Sequence, residues 1–393
     1  MTPDPNGPPK KLKDLARGFL ESGVFPGGVI ALGKPAVGSS LTFPFGFLGK
    51  TRNVREVTAD SSYDLASVTK IVATTFMVAL SVAEKRLKIT DPLGDLGFEG
   101  PDEVLSLTLE DLLTHRSGLP PWKPVYLAGG EDPAERRAAV EKLVLNRRLL
   151  FKPGTRTLYS DLGFMLLGFV LEKIWGIPLG TLFDELVAKP LSLVSAVYGP
   201  RSPAGPGGLC PLKAYPFEIA PTEDGFRVGG PLTLPGVPIF GPAPSGRVHD
   251  DNAAFLSGAA GHAGLFSNAG DLFKILVFWS KALKNEVPSL PSAVLSDFMT
   301  PRATAEDPGR ALGFDVFPRP GGGGILLGHL GYTGCSVHFD PKEDEALILL
   351  SNRVHPTARG SRMDGARASL LDLCFGERLF DGQRPTSVPQ ENG

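Results

Sequence analysis

Cysteine is scarce in this sequence. Three in 393 residues, Cys210, Cys335 and Cys374, are odd in number and far apart, which argues against both a disulfide framework and a zinc cluster. A reducing compartment, the cytoplasm, is the expectation. None of the six histidines stands in a paired ligand spacing such as H-E-x-x-H, so no metal is implied. An excess of one charge is also missing: 40 Lys and Arg against 42 Asp and Glu leave −2, too weak a field to gather nucleic acid or anionic lipid. The short basic run "KKLK" at 10–13 reads as a solvated helix start. Long apolar runs are absent too. The first thirty residues are broken by Arg17, Glu21 and Pro26 and hold no signal-peptide core. "GFMLLGFVLEKIWGI" (163–177) carries Glu172 and Lys173 and falls short of a bilayer span. Neither a nucleic-acid nor a membrane partner is expected, and the oligomeric state is not readable.

What is present is enough apolar residue, 42%, to fill a large core. After a helix near 10–22, "GGVIALG" and "SLTFPFGFLGK" read as a hairpin of strands. A helix is predicted from near Ser67 to about Leu87, where "EKRLK" places positive charge at the negative end of its dipole. Residues 101–190 read as mainly helical. Between 199 and 247 there are 11 prolines and 10 glycines in 49 residues, a loop region expected to shape a pocket mouth. Helices return at 251–285, then three strands at hairpin spacing lie in "GGILLGHLGYTG", "CSVHFDPKED" and "EALILLSNRV", and a helix follows at 361–376. The predicted fold is therefore α/β of the α+β type: an antiparallel sheet flanked by helices, with an inserted all-helical part. Residues 1–95 and 250–380 would form the α/β domain from both ends of the chain, 96–249 the helical one, and 381–393 a disordered tail.

Three elements carry chemistry. Ser67 and Lys70 form S-x-x-K, whose spacing puts both side chains on one face of a helix. Burial disfavours an ammonium, so Lys70 is expected to be neutral enough to accept the Ser67 proton. The spacing alone fits equally a serine cap with the lysine reaching to water. In "TLYSDLGF", Tyr159 stands at a helix start, either as a core aromatic or as a proton carrier whose phenol a nearby lysine would acidify. The glycines of "GHLGYTG" (328–334) allow a backbone N–H to approach a substrate and pair with that of Ser67 as an oxyanion hole.

The series S-V-T-K, Y-S-D and H-L-G, in that order, resembles the serine β-lactamase-related family: class C β-lactamases, D-alanyl-D-alanine carboxypeptidases and family VIII carboxylesterases. "LLTHRSGLP", "IAPTE", "VHDDNA" and "GHAGLFSNAGDL" extend the resemblance over about residues 25–355. It implies a β-lactamase/transpeptidase-like fold with the site between an α/β and a helical domain. It also implies Ser67 as nucleophile, Lys70 as its base, Tyr159 as proton shuttle to the leaving group, and the N–H groups of Ser67 and Tyr332 as oxyanion hole. No cofactor is implied.

The departures bear on the substrate. Where lactamases have Lys-Thr-Gly, this chain has His329-Leu330-Gly331, without the cation and hydroxyl that hold a β-lactam carboxylate. Where they have Tyr-x-Asn, Asp161 is an acceptor that can orient Lys70 but cannot donate to an amide carbonyl. A neutral ester with an apolar acyl chain fits better, with Leu330, Gly331 and Trp122 along the pocket. His329 reads as a neutral or switchable donor lining it, or as structural. For the other five histidines, loop or core hydrogen bonding is expected. A serine carboxylesterase acting on short- to medium-chain esters is the favoured function. A β-lactamase or D-Ala-D-Ala carboxypeptidase is the alternative, and a non-catalytic binding protein of the same fold the third reading.

Overall fold

A strand buried on both faces needs apolar side chains at consecutive positions, and two stretches supply them. In Gly27–Lys34, Val29 and Ala31 pack into one core while Ile30 and Leu32 pack into another. Glu345–Ser351 repeats this, with Ile348 and Leu350 on the first side and Leu347 and Leu349 on the second.

The structure, a computed structural model, describes residues 8–50, 55–199, 217–223, 246–302, 309–358, 362–377 and 379–382. Its strands are β1 (Gly27–Lys34), β2 (Ser39–Gly46), β3 (Tyr63–Asp64), β4 (Val197–Tyr198), β5 (Leu265–Ser267), β6 (Asp315–Pro318), β7 (Ile325–Leu330), β8 (Ser336–Asp340) and β9 (Glu345–Ser351). Six form one antiparallel sheet in the order β2-β1-β9-β8-β7-β6. The strands from the two ends of the chain meet where Gly28 faces Ser351 and Gly33 faces Ala346. The three shortest, β3, β5 and β4, form a second sheet in that order; neither it nor β6 is expected from the sequence.

The helices, in chain order, are α1 (Lys10–Glu21), α2 (Phe76–Ala83), α3 (Asp102–Leu105), α4 (Leu109–Leu113), α5 (Pro133–Leu145) and α6 (Asp161–Trp175). They continue with α7 (Leu179–Phe183), α8 (Asp251–Phe255), α9 (Ala269–Leu283), α10 (Ser292–Met299) and α11 (Met363–Leu371). Helices α1 and α11 cover one face of the large sheet through Leu12, Ala16, Phe19 and Leu370. The other face packs on α9 and, beyond it, the helical region.

At the centre of that region is α6. Ser160 caps it, its Oγ accepting from the Gly163 N–H, Gly176 in the left-handed conformation ends it, and Leu162 to Leu171 are all buried. Gly261 lets the following chain lie against this helix, since a Cβ there would fall 2.0 Å from the Phe164 carbonyl.

The helix expected to run from Ser67 to about Leu87 is three shorter pieces. A 3-10 turn spans Ala66–Val68, a π turn spans Lys70–Thr75, and only Phe76–Ala83 is α-helical. Lys85, at φ 61, lies beyond its end. The run 66–83 has the length and apolarity to cross a membrane, yet 83% of it is buried in the core. Cys335 and Cys374 are buried and unpaired, while Cys210, most of 199–247 and nearly all of 381–393 lie outside the described residues.

Candidate active site

β3 leads straight into the turn that carries Ser67, so the small sheet positions this residue. Ser67 lies in the 3-10 turn and Lys70 opens the π turn that follows, three residues on, so the two side chains come within hydrogen-bond reach. Lys70 Nζ lies 2.9 Å from Ser67 Oγ, and the Tyr159 hydroxyl, just ahead of α6, donates to the same oxygen over 2.9 Å. Two further acceptors hold the lysine: Asp161 Oδ1 at 2.8 Å and the His262 carbonyl at 3.0 Å. Sequence neighbours thus supply one partner of this amine and distant segments the rest.

Those partners correct the expected charge. Burial of Lys70 by itself lowers its affinity for a proton, but the Asp161 carboxylate and Tyr159 outweigh that and hold the ammonium above the ordinary lysine value. Burial likewise raises the Tyr159 phenol, and the Lys70 charge recovers only part of the shift, so the expected acidified tyrosine is not found. The resting group is an ammonium paired with a carboxylate beside a neutral phenol.

Ser67, Tyr159 and Asp161 open onto a cavity of about 800 Å³. Leu330, Gly331 and Tyr332 line it at the end of β7, and Trp122 lines it from the loop after α4. Trp122 and Tyr332 are 46% and 57% exposed, so two large aromatic rings flank its mouth. Gly331 is a close approach: a Cβ there would lie 2.5 Å from the Leu65 carbonyl, two residues before Ser67.

His329 stands elsewhere. Its ring is buried behind Tyr159, with ring centres 5.9 Å apart, and it is not among the residues lining the cavity. Alternation along β7 explains this, because Leu330 takes the cavity side. Burial pushes its imidazole down to about 4, helped by Lys70 and Arg310 against Asp315, and its Nδ1 lies 3.0 Å from the Leu330 carbonyl. It is a neutral wall behind the tyrosine and not a donor in the pocket.

His115 covers another side of Tyr159, its ring centre 4.5 Å away, and its Nδ1 accepts from the Ser160 N–H. His355 bonds the Thr222 carbonyl and His262 bonds Asp250, as expected for loop and core histidines. His338 departs from that expectation, with neither ring nitrogen hydrogen-bonded among the described residues.

The cavity also holds residues to which sequence reasoning gave no role. His249 stacks on the Tyr332 ring, and Arg353 lies over that ring at 4.4 Å while its Nε donates to the Tyr332 carbonyl. Arg367 of α11, largely buried, donates to the carbonyls of Gly331 and Cys335. The available signal is position: His249 lies in "VHDDNA", one of the strings that extend the family resemblance, and Arg353 at the end of the strand segment "EALILLSNRV", but nothing in their spacing assigns chemistry. A second cavity, about 540 Å³, lies between α5, α6 and α7; Ser257 and Lys173 are among its lining, but the Lys173 ammonium donates to the Gly97 carbonyl.

The family model described as Beta-lactamase matches residues 12–372. A protein of Escherichia coli O157:H7, provisionally named a D-alanyl-D-alanine carboxypeptidase, is 30% identical over 321 residues, 76% of this chain and 71% of that one. An N-acetylmuramyl-L-alanine amidase of Bacillus subtilis (strain 168) is 30% identical over 376 residues, 87% of this chain and 79% of that one. Among solved structures, SurE superposes with a TM-score of 0.69 at 22% identity, covering 97% of this chain and 78% of that chain. EstCE1, a hydrolase with promiscuous acyltransferase activity, gives 0.67 at 18% identity over 92% and 97%. At such identities the structures establish the fold.

Proposed function

Because this chain belongs to the Beta-lactamase family, we propose that it is a serine hydrolase cleaving carboxylic esters with short to medium acyl chains through an acyl-enzyme on Ser67. The observation that carries the reading is Ser67 Oγ at the edge of a cavity, within 2.9 Å of both Lys70 Nζ and Tyr159 Oη.

Asp161 keeps Lys70 charged, so the proton that must leave to create a base comes from Tyr159, whose phenolate the ammonium stabilises. Ser67 Oγ attacks the ester carbonyl as its proton passes to Tyr159, and the N–H groups of Ser67 and Tyr332 receive the oxyanion. Collapse expels the alcohol, which takes that proton from Tyr159. Water then repeats the sequence on the acyl-enzyme and releases the acid. Leu330 on the cavity wall and the aromatic rings of Trp122 and Tyr332 suit an apolar acyl group. A cytoplasmic setting is part of the proposal, supported by the unpaired, buried Cys335 and Cys374.

One observation favours a second substrate class. Arg353 and Arg367 line the cavity, so cations are present although the Lys-Thr-Gly lysine is not, and a D-Ala-D-Ala peptide or a β-lactam presents the carboxylate they would meet. Side-by-side turnover of nitrophenyl esters of graded length, a chromogenic cephalosporin and a D-Ala-D-Ala peptide decides between them. The ester reading requires kcat/KM to be highest for the esters and lost in Ser67→Ala. A carboxylate-bearing substrate turned over faster than every ester would replace it.

A further inference from the structure

Asp64 ends β3 and is almost fully buried, yet its polar atoms accept from two backbone N–H groups and two side-chain donors and from no cation. Its Oδ1 accepts from the Ala66 N–H at 2.8 Å and its Oδ2 from the His249 N–H at 2.7 Å. Its main-chain carbonyl accepts from the Thr333 hydroxyl at 2.6 Å and from the Cys335 thiol at 3.4 Å. These four donors lie on three segments of the chain.

Two of those segments carry the groups assigned to the oxyanion hole. Ala66 holds a left-handed backbone, φ 45, which is strained for a residue with a side chain. The Ser67 N–H belongs to the peptide that leaves Ala66, so its direction follows that strained backbone. Thr333 is the residue after Tyr332, and its anchored hydroxyl fixes the turn presenting the Tyr332 N–H. Through His249, whose ring stacks on Tyr332, Asp64 reaches the same turn a second time.

We infer that Asp64 is a positioning residue which ties the Ser67 turn to the Tyr332 turn and so sets the spacing of the two oxyanion-hole N–H groups. This rests on the proposed acyl-enzyme chemistry. A core alone gives no reason for an acid here, since burial pushes its carboxyl up and the N–H groups of His249 and Ala66 offset only part of that. An asparagine has the same size but replaces one acceptor by a donor, which would face an N–H and lose one of the two bonds.

The test compares Asp64→Asn, Thr333→Val, the double variant and Ser67→Ala on nitrophenyl butyrate, with thermal unfolding alongside. Asp64→Asn is expected to lose kcat about 10- to 100-fold with KM held within about twofold, the signature of a misplaced transition-state donor. Thr333→Val, which removes only the hydroxyl, should lose kcat in the same sense, and the double variant less than the product of the two. A folded Asp64→Asn with unchanged kcat, or with its loss in KM alone, overturns the inference. If Asp64→Asn does not fold, Thr333→Val decides: lost kcat at constant KM supports the tie, and wild-type kinetics ends it. Ser67→Ala separates the two levels, for activity surviving there removes the acyl-enzyme reading itself, whatever Asp64 does.

Discussion

Lys70 Nζ sits 2.8 Å from Asp161 Oδ1 and 2.9 Å from Ser67 Oγ, so in the proposed mechanism this pair sets how Ser67 is activated. The carboxylate raises the ammonium's hold on its proton against the effect of burial. Besides burial, the same carboxylate also raises the Tyr159 phenol, so in Asp161→Asn Tyr159, the base of the proposed mechanism, releases its proton more readily and the base-competent form is reached at lower pH. The rising limb of the kcat/KM profile should therefore move toward acid. A limb that stays in place would mean that the pair does not control the titrating group.

Tyr159 donates to Ser67 Oγ and in the proposed mechanism carries the proton in both half-reactions. Tyr159→Phe keeps the ring that packs against His115 and His329 and removes only the hydroxyl. Turnover of nitrophenyl esters should fall about 10²- to 10⁴-fold, with KM little changed. A residual rate near that of wild type would assign the proton transfer to Lys70 alone.

Gly331 has no room for a side chain. In Gly331→Ala the new Cβ would lie 2.5 Å from the Leu65 carbonyl, a backbone atom that can yield only if the two turns of the proposed oxyanion hole separate. A displacement of that order should lower kcat about 100-fold and affect KM less. Steady-state kinetics on one ester suffices to check it.

His338 is buried against Phe317, and burial, with Arg367 nearby, pushes its imidazole down to about 3. The folded protein thus refuses a proton that the unfolded chain accepts below about pH 6.5. Stability contributed by the neutral ring is intact above that pH and is lost as the pH falls toward 4, by about 3 kcal/mol. His338→Leu should flatten this part of the pH dependence, read from urea unfolding at pH 7 and pH 4. Equal slopes for the two proteins would contradict it.

The long strands and α6 were legible because their signals are local: consecutive apolar residues, a Ser160 cap, a closing Gly176. S-x-x-K was legible for the same reason, since its partners are three residues apart. Strands of two to four residues such as β3, β4 and β6 carry too little pattern to read, and they exist only through pairing with distant segments. The charge of Lys70 was misread on the same ground. Its decisive neighbours, Asp161 and His262, are 91 and 192 residues away, so burial was visible in the sequence and its compensation was not. His329 was placed by its slot in a motif, whereas the side of β7 it occupies is fixed by the register with β8.

That β1 lies hydrogen-bonded between β2 and β9 has a consequence for biosynthesis. More than three hundred residues must be translated before Gly28 can meet Ser351, so the first hairpin waits with one edge unsatisfied while the helices assemble. Ribosome-bound chains stopped before residue 345 should be protease-sensitive in that hairpin, and refolding from denaturant should be slow for a chain of this size.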